Sequence, residues 1–155
     1  MQRTLILIKP DALQRSLVGQ IITRFEQKGL RLVGIKMLVV SDEKIREHYS
    51  HLVEKPFFPK LKEFMQSYPV IAVALEGVDV VSAVRLLVGI TKGREADAGT
   101  IRGDFSMSQS NNVVHASDSP ENGEIEVKRF FQDNELFDYK KFDFESIYAE
   151  DERGL

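Results

Sequence analysis

The sequence contains no cysteine. Disulfides and thiolate-bound metals are excluded, and redox compartment cannot be read from cysteine usage. Nor is there a surplus of positive charge. Lys and Arg number 21 against 24 Asp and Glu, a formal net charge of −3. A dedicated nucleic-acid binder usually carries a basic excess, although net charge leaves a local basic cleft open. Long apolar runs are missing too. The N-terminal run from Thr4 to Ile8 stops at Lys9 and Asp11, too short for a signal peptide or a membrane span. A cytoplasmic protein with no membrane partner is expected. Neither glycine-rich phosphate loop, GxGxxG or GxxxxGK(S/T), occurs, so any phosphate binding falls to side chains. Histidine is scarce: His48, His51 and His115 are the whole supply.

What is present suits one ordinary domain spanning residues 1–155. Apolar residues make up 43% and charged residues 29%, values that argue for a packed core over disorder. Thr4 to Ile8 reads as a buried strand and Lys9-Pro10-Asp11 as the turn after it. Leu17 to Lys28 carries Leu17, Val18, Ile21, Ile22 and Phe25 on one helical face, with Gly29 as its C-cap. Leu32 to Val40 reads as a strand. Ser41 or Asp42 caps a helix bearing Ile45, Tyr49 and Leu52. A turn between Pro56 and Pro59 holds Phe57 and Phe58, and a helix follows from Lys60 to Ser67. Val70 to Leu75 is a strand, and Asp79 caps a helix towards Gly89 with Val80, Val84, Leu87 and Val88 inside. Thr91 to Asn111 is a long polar stretch with neither period, and a loop of that length in a compact domain is usually functional. Val113-Val114 is a short strand ending at His115, and a helix runs from Ser119-Pro120 to about Phe131. The order βαββαβ predicts a ferredoxin-like α+β fold: a four-stranded antiparallel sheet with extra helices and a long loop.

A few residues stand out chemically. His48 and His51 are spaced i, i+3, a geometry that could grip a metal. No third ligand lies nearby in sequence, and a half-exposed amphipathic helix is the preferred reading. His115 ends a strand, precedes a helix start and has Ser117 beside it, a placement that suits attack on an anion. Lys9 sits at a strand end, where sites often form. Arg85 lies in a helix, and Arg102 lies in a loop between glycines. A guanidinium fork matches phosphate oxygens as a point charge cannot.

Several segments resemble nucleoside diphosphate kinases: TLILIKPD from Thr4 to Asp11, RFEQKG from Arg24 to Gly29, His48-Tyr49 with Pro56 to Phe58, GTIRGDF from Gly99 to Phe105, and NVVHASDS from Asn112 to Ser119. Phe130-Phe131 and Ile147-Tyr148 fit the same pattern, so the resemblance runs along nearly the whole chain. It implies transfer of the terminal phosphate of a nucleoside triphosphate to a nucleoside diphosphate, in ping-pong fashion, maintaining NTP and dNTP pools. His115 would be the nucleophile, phosphorylated on Nδ1, with Glu126 holding the other ring nitrogen and Ser117 and Tyr49 as hydrogen-bonding neighbours. Arg85, Thr91 and Arg102 would clamp the phosphates. Lys9 and Asn112 would contact the ribose hydroxyls, Lys9 also nearing the transferred phosphate. Phe57 would stack on the base and Leu61 would line its edge. Mg²⁺ would arrive on the nucleotide phosphates, with no protein metal site. The resemblance also implies a homo-oligomer, a hexamer before a tetramer.

Three departures mark this chain. Ala116 stands where the family usually has glycine after the histidine, and is tolerable if its φ is negative. Lys92-Gly93 stands where the family usually has Asn-Pro, in a loop tied to subunit packing. The tail from Asp151 to Leu155 runs past the usual end. Three rivals bear weighing. A ferredoxin-like nucleic-acid module would need aromatic and basic residues on exposed strands, and the strands here are aliphatic. A catalytically idle family member kept for interactions would not need the full set of catalytic residue types found here. A phosphohistidine phosphatase or carrier is the weaker enzymatic alternative.

Overall fold

Alternation along two central strands sets the architecture. In β1 (Gln2–Ile8), Ile6 and Ile8 face one side and Leu5 and Leu7 the other. In β3 (Val70–Gly77), Ile71, Val73 and Leu75 join the first side, and Val70, Ala72 and Ala74 the second. With successive side chains on opposite faces, such strands need cover on both. The computed structural model, which describes residues 1–153, supplies it. Among these residues β2 (Arg31–Leu38), β3, β1 and β4 (Val114–Ala116) form one sheet in the order β2-β3-β1-β4, every neighbouring pair antiparallel. This is the ferredoxin-like α+β arrangement.

Helices α2 (Val18–Gln27) and α5 (Val80–Val88) cover the first face through Ile21, Phe25, Val80, Val84 and Val88. Helices α3 (Asp42–His48), α4 (Phe58–Gln66) and α7 (Pro120–Phe130) cover the second through Ile45, Met65, Val127 and Phe130. Each fully buried large aliphatic or aromatic side chain stabilises the fold by about 1.5–3 kcal/mol. Helix α7 lies hard against β1, since a Cβ on Gly123 would sit 2.4 Å from the Arg3 carbonyl oxygen. That close approach fixes where the α7 side chains stand over the sheet.

Local signals read from the sequence recur at several termini. Ser41 accepts from the Lys44 N–H at 3.2 Å and Ser119 from the Asn122 N–H at 3.1 Å, with Pro120 in the first turn of α7. Helix α2 closes in a Schellman arrangement: the Leu30 N–H donates to Phe25 O and the Gly29 N–H to Glu26 O, with Gly29 at φ +93°. Other expectations are corrected. Pro10 to Gln14 is a short helix, α1, and not a turn. The long polar stretch contains a 3₁₀ turn (Gly93–Glu95) and a helix, α6 (Ile101–Phe105), capped by Thr100 Oγ1 accepting from the Gly103 N–H at 3.0 Å. Helix α4 begins at Phe58, two residues before the expected start, and β2 ends at Leu38, not Val40. Asp79 makes no side-chain cap; it enters α5 at φ +47°. The chain closes with a short helix, α8 (Phe144–Ile147), and the tail fastens back onto the body. The Phe137 N–H donates to Val33 O at 2.8 Å, and Tyr148 Oη accepts from the Val78 N–H at 3.2 Å.

Candidate active site

Antiparallel pairing of β1 with β4 sets Ile8 opposite Val114 and Leu7 opposite His115. The Lys9 end of β1 therefore meets the segment that leads into His115. Lys9 is buried and its Nζ donates to Asn112 Oδ1 at 2.6 Å. The Asn112 amide in turn donates to Thr91 O at 2.8 Å and Gln109 O at 2.9 Å. Arg102, from α6, donates to Gly89 O at 3.0 Å and Val114 O at 2.7 Å. The supposed loop around residue 102 is thus tied to both α5 and β4. His115 lies in the middle of β4 instead of at its end, and the peptide turns into that strand at Val113, whose φ is +65°.

Helix α7 brings Glu126 over the sheet to His115. Glu126 Oε2 is 2.9 Å from His115 Nε2 and accepts from Ser117 Oγ at 2.7 Å. Ser117 is wholly buried and accepts from the Leu5 N–H at 3.1 Å, which anchors the pair to β1. Burial pushes the Glu126 carboxyl up, but the hydrogen bond and charge of His115 and the bond from Ser117 outweigh it and leave it below its ordinary value. An ionised Glu126 accepts only, so Nε2 carries a proton and, in the neutral imidazole, the lone pair falls on His115 Nδ1.

Of the eleven residues given roles by the resemblance, ten line one cleft of about 950 Å³; the eleventh, Ser117, is wholly buried beside Glu126. Phe57 is half-exposed, Leu61 lies one helical turn on, and Arg85 and Thr91 are exposed residues lining the same cleft. Lys9, Arg85 and Arg102 make no ion pair among the described residues. Burial, then the charge of Arg102, pulls the Lys9 ammonium down to about 8 against the pull of Asp11. Burial, then Arg85, pulls Arg102 down to about 10. Three neighbouring cations, none in an ion pair, are held ready for an anion.

His48 is the residue that sequence reading misplaced. It is buried, not half-exposed, and its ring packs edge-on against His115 with centroids 4.4 Å apart. Tyr49 packs edge-on against His48 in turn. Burial, then the neighbouring His115, drives His48 down to about 2, so it stays neutral. The i, i+3 pairing with His51 plays no part. Instead, one ligand atom each from His48, His115 and Glu126 lie within 4.8 Å of one another, the one cation-sized cluster among the described residues. Against a metal there, Arg129 Nη1 lies 3.3 Å from His48 Nδ1. A guanidinium only donates, so Nδ1 accepts and Nε2 carries the proton, leaving His48 no lone pair for a metal.

Comparison with known proteins adds to this geometry. A family profile described as Nucleoside diphosphate kinase matches residues 2–136. The chain belongs to the nucleoside diphosphate kinase family. A protein named nucleoside diphosphate kinase from Parabacteroides distasonis is 57% identical over 152 residues, covering 98% of this chain and 99% of the relative. Another from Methanothermobacter thermautotrophicus is 47% identical over 150 residues, covering 97% of this chain and all of the relative. The solved structure of a halophilic nucleoside diphosphate kinase from Halobacterium salinarum in complex with CDP superimposes with a TM-score of 0.93 at 41% identity, covering 96% of this chain and 99% of that one.

Two of the three departures have local explanations; the third, the tail to Leu155, ends outside the described residues. Ala116 lies in β4 and is not among the described residues with positive φ, so its methyl costs no backbone strain. Gly93 is buried against Ser106, where a Cβ would meet the Ser106 carbonyl oxygen at 2.5 Å. That turn therefore packs more closely here than a proline would allow.

Proposed function

We propose that this chain transfers the terminal phosphate between nucleoside tri- and diphosphates through a phosphohistidine at His115, in two half-reactions. The observation that carries the reading is the Glu126 contact to His115 Nε2 at 2.9 Å. It orients the ring, fixes the tautomer and leaves Nδ1 to attack. In the first half-reaction the Nδ1 lone pair bonds to the γ-phosphorus and the bond to the β-γ bridging oxygen breaks, so the diphosphate leaves. In the second, a β-phosphate oxygen of another diphosphate attacks phosphorus, and the electron pair returns to Nδ1. Developing positive charge on the ring is met by Glu126, and charge on the phosphoryl oxygens by Lys9, Arg85 and Arg102. Transfer of this kind asks mainly for position and charge.

Phe57 and Leu61 at the rim support a role as platform and edge for the base, Thr91 and Asn112 a role in holding phosphate and ribose, and Tyr49 a role beside His115. Mg²⁺ carried on the nucleotide phosphates would neutralise further charge; no protein site for it is required. Residues 1–155 would act as one domain, since the tail packs back onto β2. Nucleic acid is not a favoured partner, because both sheet faces are covered by helices. No helix among the described residues is long and apolar enough to cross a membrane, which accords with a cytoplasmic place. Ile35 and Met37 in the far half of β2, and Val39 just past its end, are exposed. An apolar sheet edge of that kind supports pairing with a second copy, in line with the homo-oligomer that the family resemblance implies, a hexamer before a tetramer.

The decisive test is incubation with ATP and Mg²⁺, then intact mass before and after acid. An acid-labile gain of one phosphate, returned on adding a diphosphate, is expected. Its absence would favour the idle or binding-module reading.

A further inference from the structure

Val113 is held in a conformation that its side chain opposes. It is β-branched, wholly buried and at φ +65°, in the region that L residues other than glycine and asparagine rarely enter. Such a residue persists only when its surroundings over-determine it. Two contacts do so here, and both come from one short segment. The Lys9 N–H donates to Val113 O at 2.9 Å, and the Val113 N–H donates to Asp11 Oδ2 at 3.1 Å. The other carboxylate oxygen, Asp11 Oδ1, is buried without a partner. Asp11 thus leaves one oxygen unsatisfied while it meets the Val113 N–H. The strained residue sits between Asn112, bound to Lys9 Nζ, and β4, which carries His115.

We propose that Asp11 is a positioning residue for phosphoryl transfer: by accepting the Val113 N–H it holds the left-handed turn that sets Asn112 and His115 in the cleft. This rests on the reading that His115 carries the phosphate. Without Asp11, Val113 relaxes towards negative φ, and Asn112 leaves Lys9 as the peptide rotates. The gain available to that relaxation corresponds to a loss on the order of 5–30-fold in the population of competent sites. Asp11 also lies close enough to Lys9 to support its charge, so a purely electrostatic role is the competing account.

The test is the single-turnover rate constant for phosphorylation by ATP and Mg²⁺ in D11A, D11N, V113G and D11A/V113G, with thermal melts to establish folding. An asparagine side chain can still accept the Val113 N–H, so D11N is expected to keep most of the rate that D11A loses. Glycine adopts positive φ without penalty, so D11A is expected to cost clearly less in the V113G background than in the native one. A D11N defect equal to that of D11A would overturn the proposal in favour of charge on Lys9. An equal D11A defect in both backgrounds, or none in either, would overturn it as well. The His115 reading is checked separately by phosphate labelling of H115A. Label retained there would sink that reading, whereas a failure of the Asp11 comparison alone would leave it standing.

Discussion

The two ends of the cleft are built differently. At the chemical end every group is buried or partly buried and bound to something else: Lys9 to Asn112, Asn112 to backbone carbonyls, Arg102 to α5 and β4, His115 to Glu126, and Glu126 to Ser117. At the other end Phe57, the proposed platform for the base, is half-exposed. Groups that must meet a developing charge gain from being fixed beforehand, because no reorganisation is then needed during the reaction. A surface that accepts a flat ring needs no such order. The architecture is therefore strict about the reacting phosphate and lax about what hangs from it. Changes at the first end should be severe and specific, and changes at the second mild and general.

The largest effect is expected for His115→Ala, which should abolish both phosphate labelling and transfer. His51→Ala should retain both, since His51 is exposed and makes none of these contacts. Acid-labile label surviving in the His115 variant would move the chemistry elsewhere. Next comes Glu126→Gln. It keeps the shape but loses the ionised acceptor that sets the tautomer, and phosphorylation should slow by roughly 10–100-fold, by analogy with histidines deprived of a supporting hydrogen bond. A rate unchanged within error would mean that α7 merely packs there.

A third effect has opposite signs for activity and stability. Lys9 is held at about 8, below its ordinary 10.5, because burial disfavours its charged form. As pH rises past 8, the folded free enzyme gives up this proton and the cleft loses a cation, so kcat/KM should fall. Across the same window, up to about 10.5, the unfolded chain holds the proton that the folded chain has released, so this group's contribution to stability rises with pH. Measuring both in one pH series separates loss of a phosphate ligand from loss of fold. A fall in kcat/KM that tracked a fall in melting temperature would refute the assignment to Lys9.

The same contrast explains what could be read from the sequence. The sheet and its covering helices were legible because Leu5 to Ile8 and Ile71 to Leu75 are short unbroken apolar runs, and because Gly29, Ser41 and Ser119 punctuate the helices as their chemistry requires. The constellation at His115 was legible through the resemblance of two motifs, since nothing local tells Glu126 to face a strand that ended before α7 began. The rest depended on tertiary contacts. Helices α1 and α6 are five residues each, too short to display a period, and form because they are anchored at both ends. The burial of His48 follows from the packing of α3 against α7, where its ring meets Phe130. The positive φ of Val113 runs against its own propensity, and its valines read as an ordinary strand.

The smallest effect concerns the base, and it tests the lax end directly. Pro56, Phe58 and Pro59 flank Phe57 in sequence, and Leu61 lies one helical turn on; none has a side-chain amide to read a base edge. Discrimination by orders of magnitude needs buried polar groups that go unpaired with the wrong substrate. Stacking asks only for a π-face, which every base has, and contributes on the order of 1–3 kcal/mol in nucleic-acid complexes. The phosphates and ribose, the parts that the buried end would grip, are common to all nucleotides. ATP, GTP, CTP and UTP should therefore all phosphorylate His115, purines somewhat faster for their larger area, and Phe57→Ala should weaken all four and narrow the purine advantage. The rate constant for each triphosphate at subsaturating concentration decides the matter. A preference of ~1,000-fold or more for one base exceeds what an exposed ring can provide. It would mean that a polar group from the rim, or from a neighbouring subunit, closes over the base and makes the second end as strict as the first.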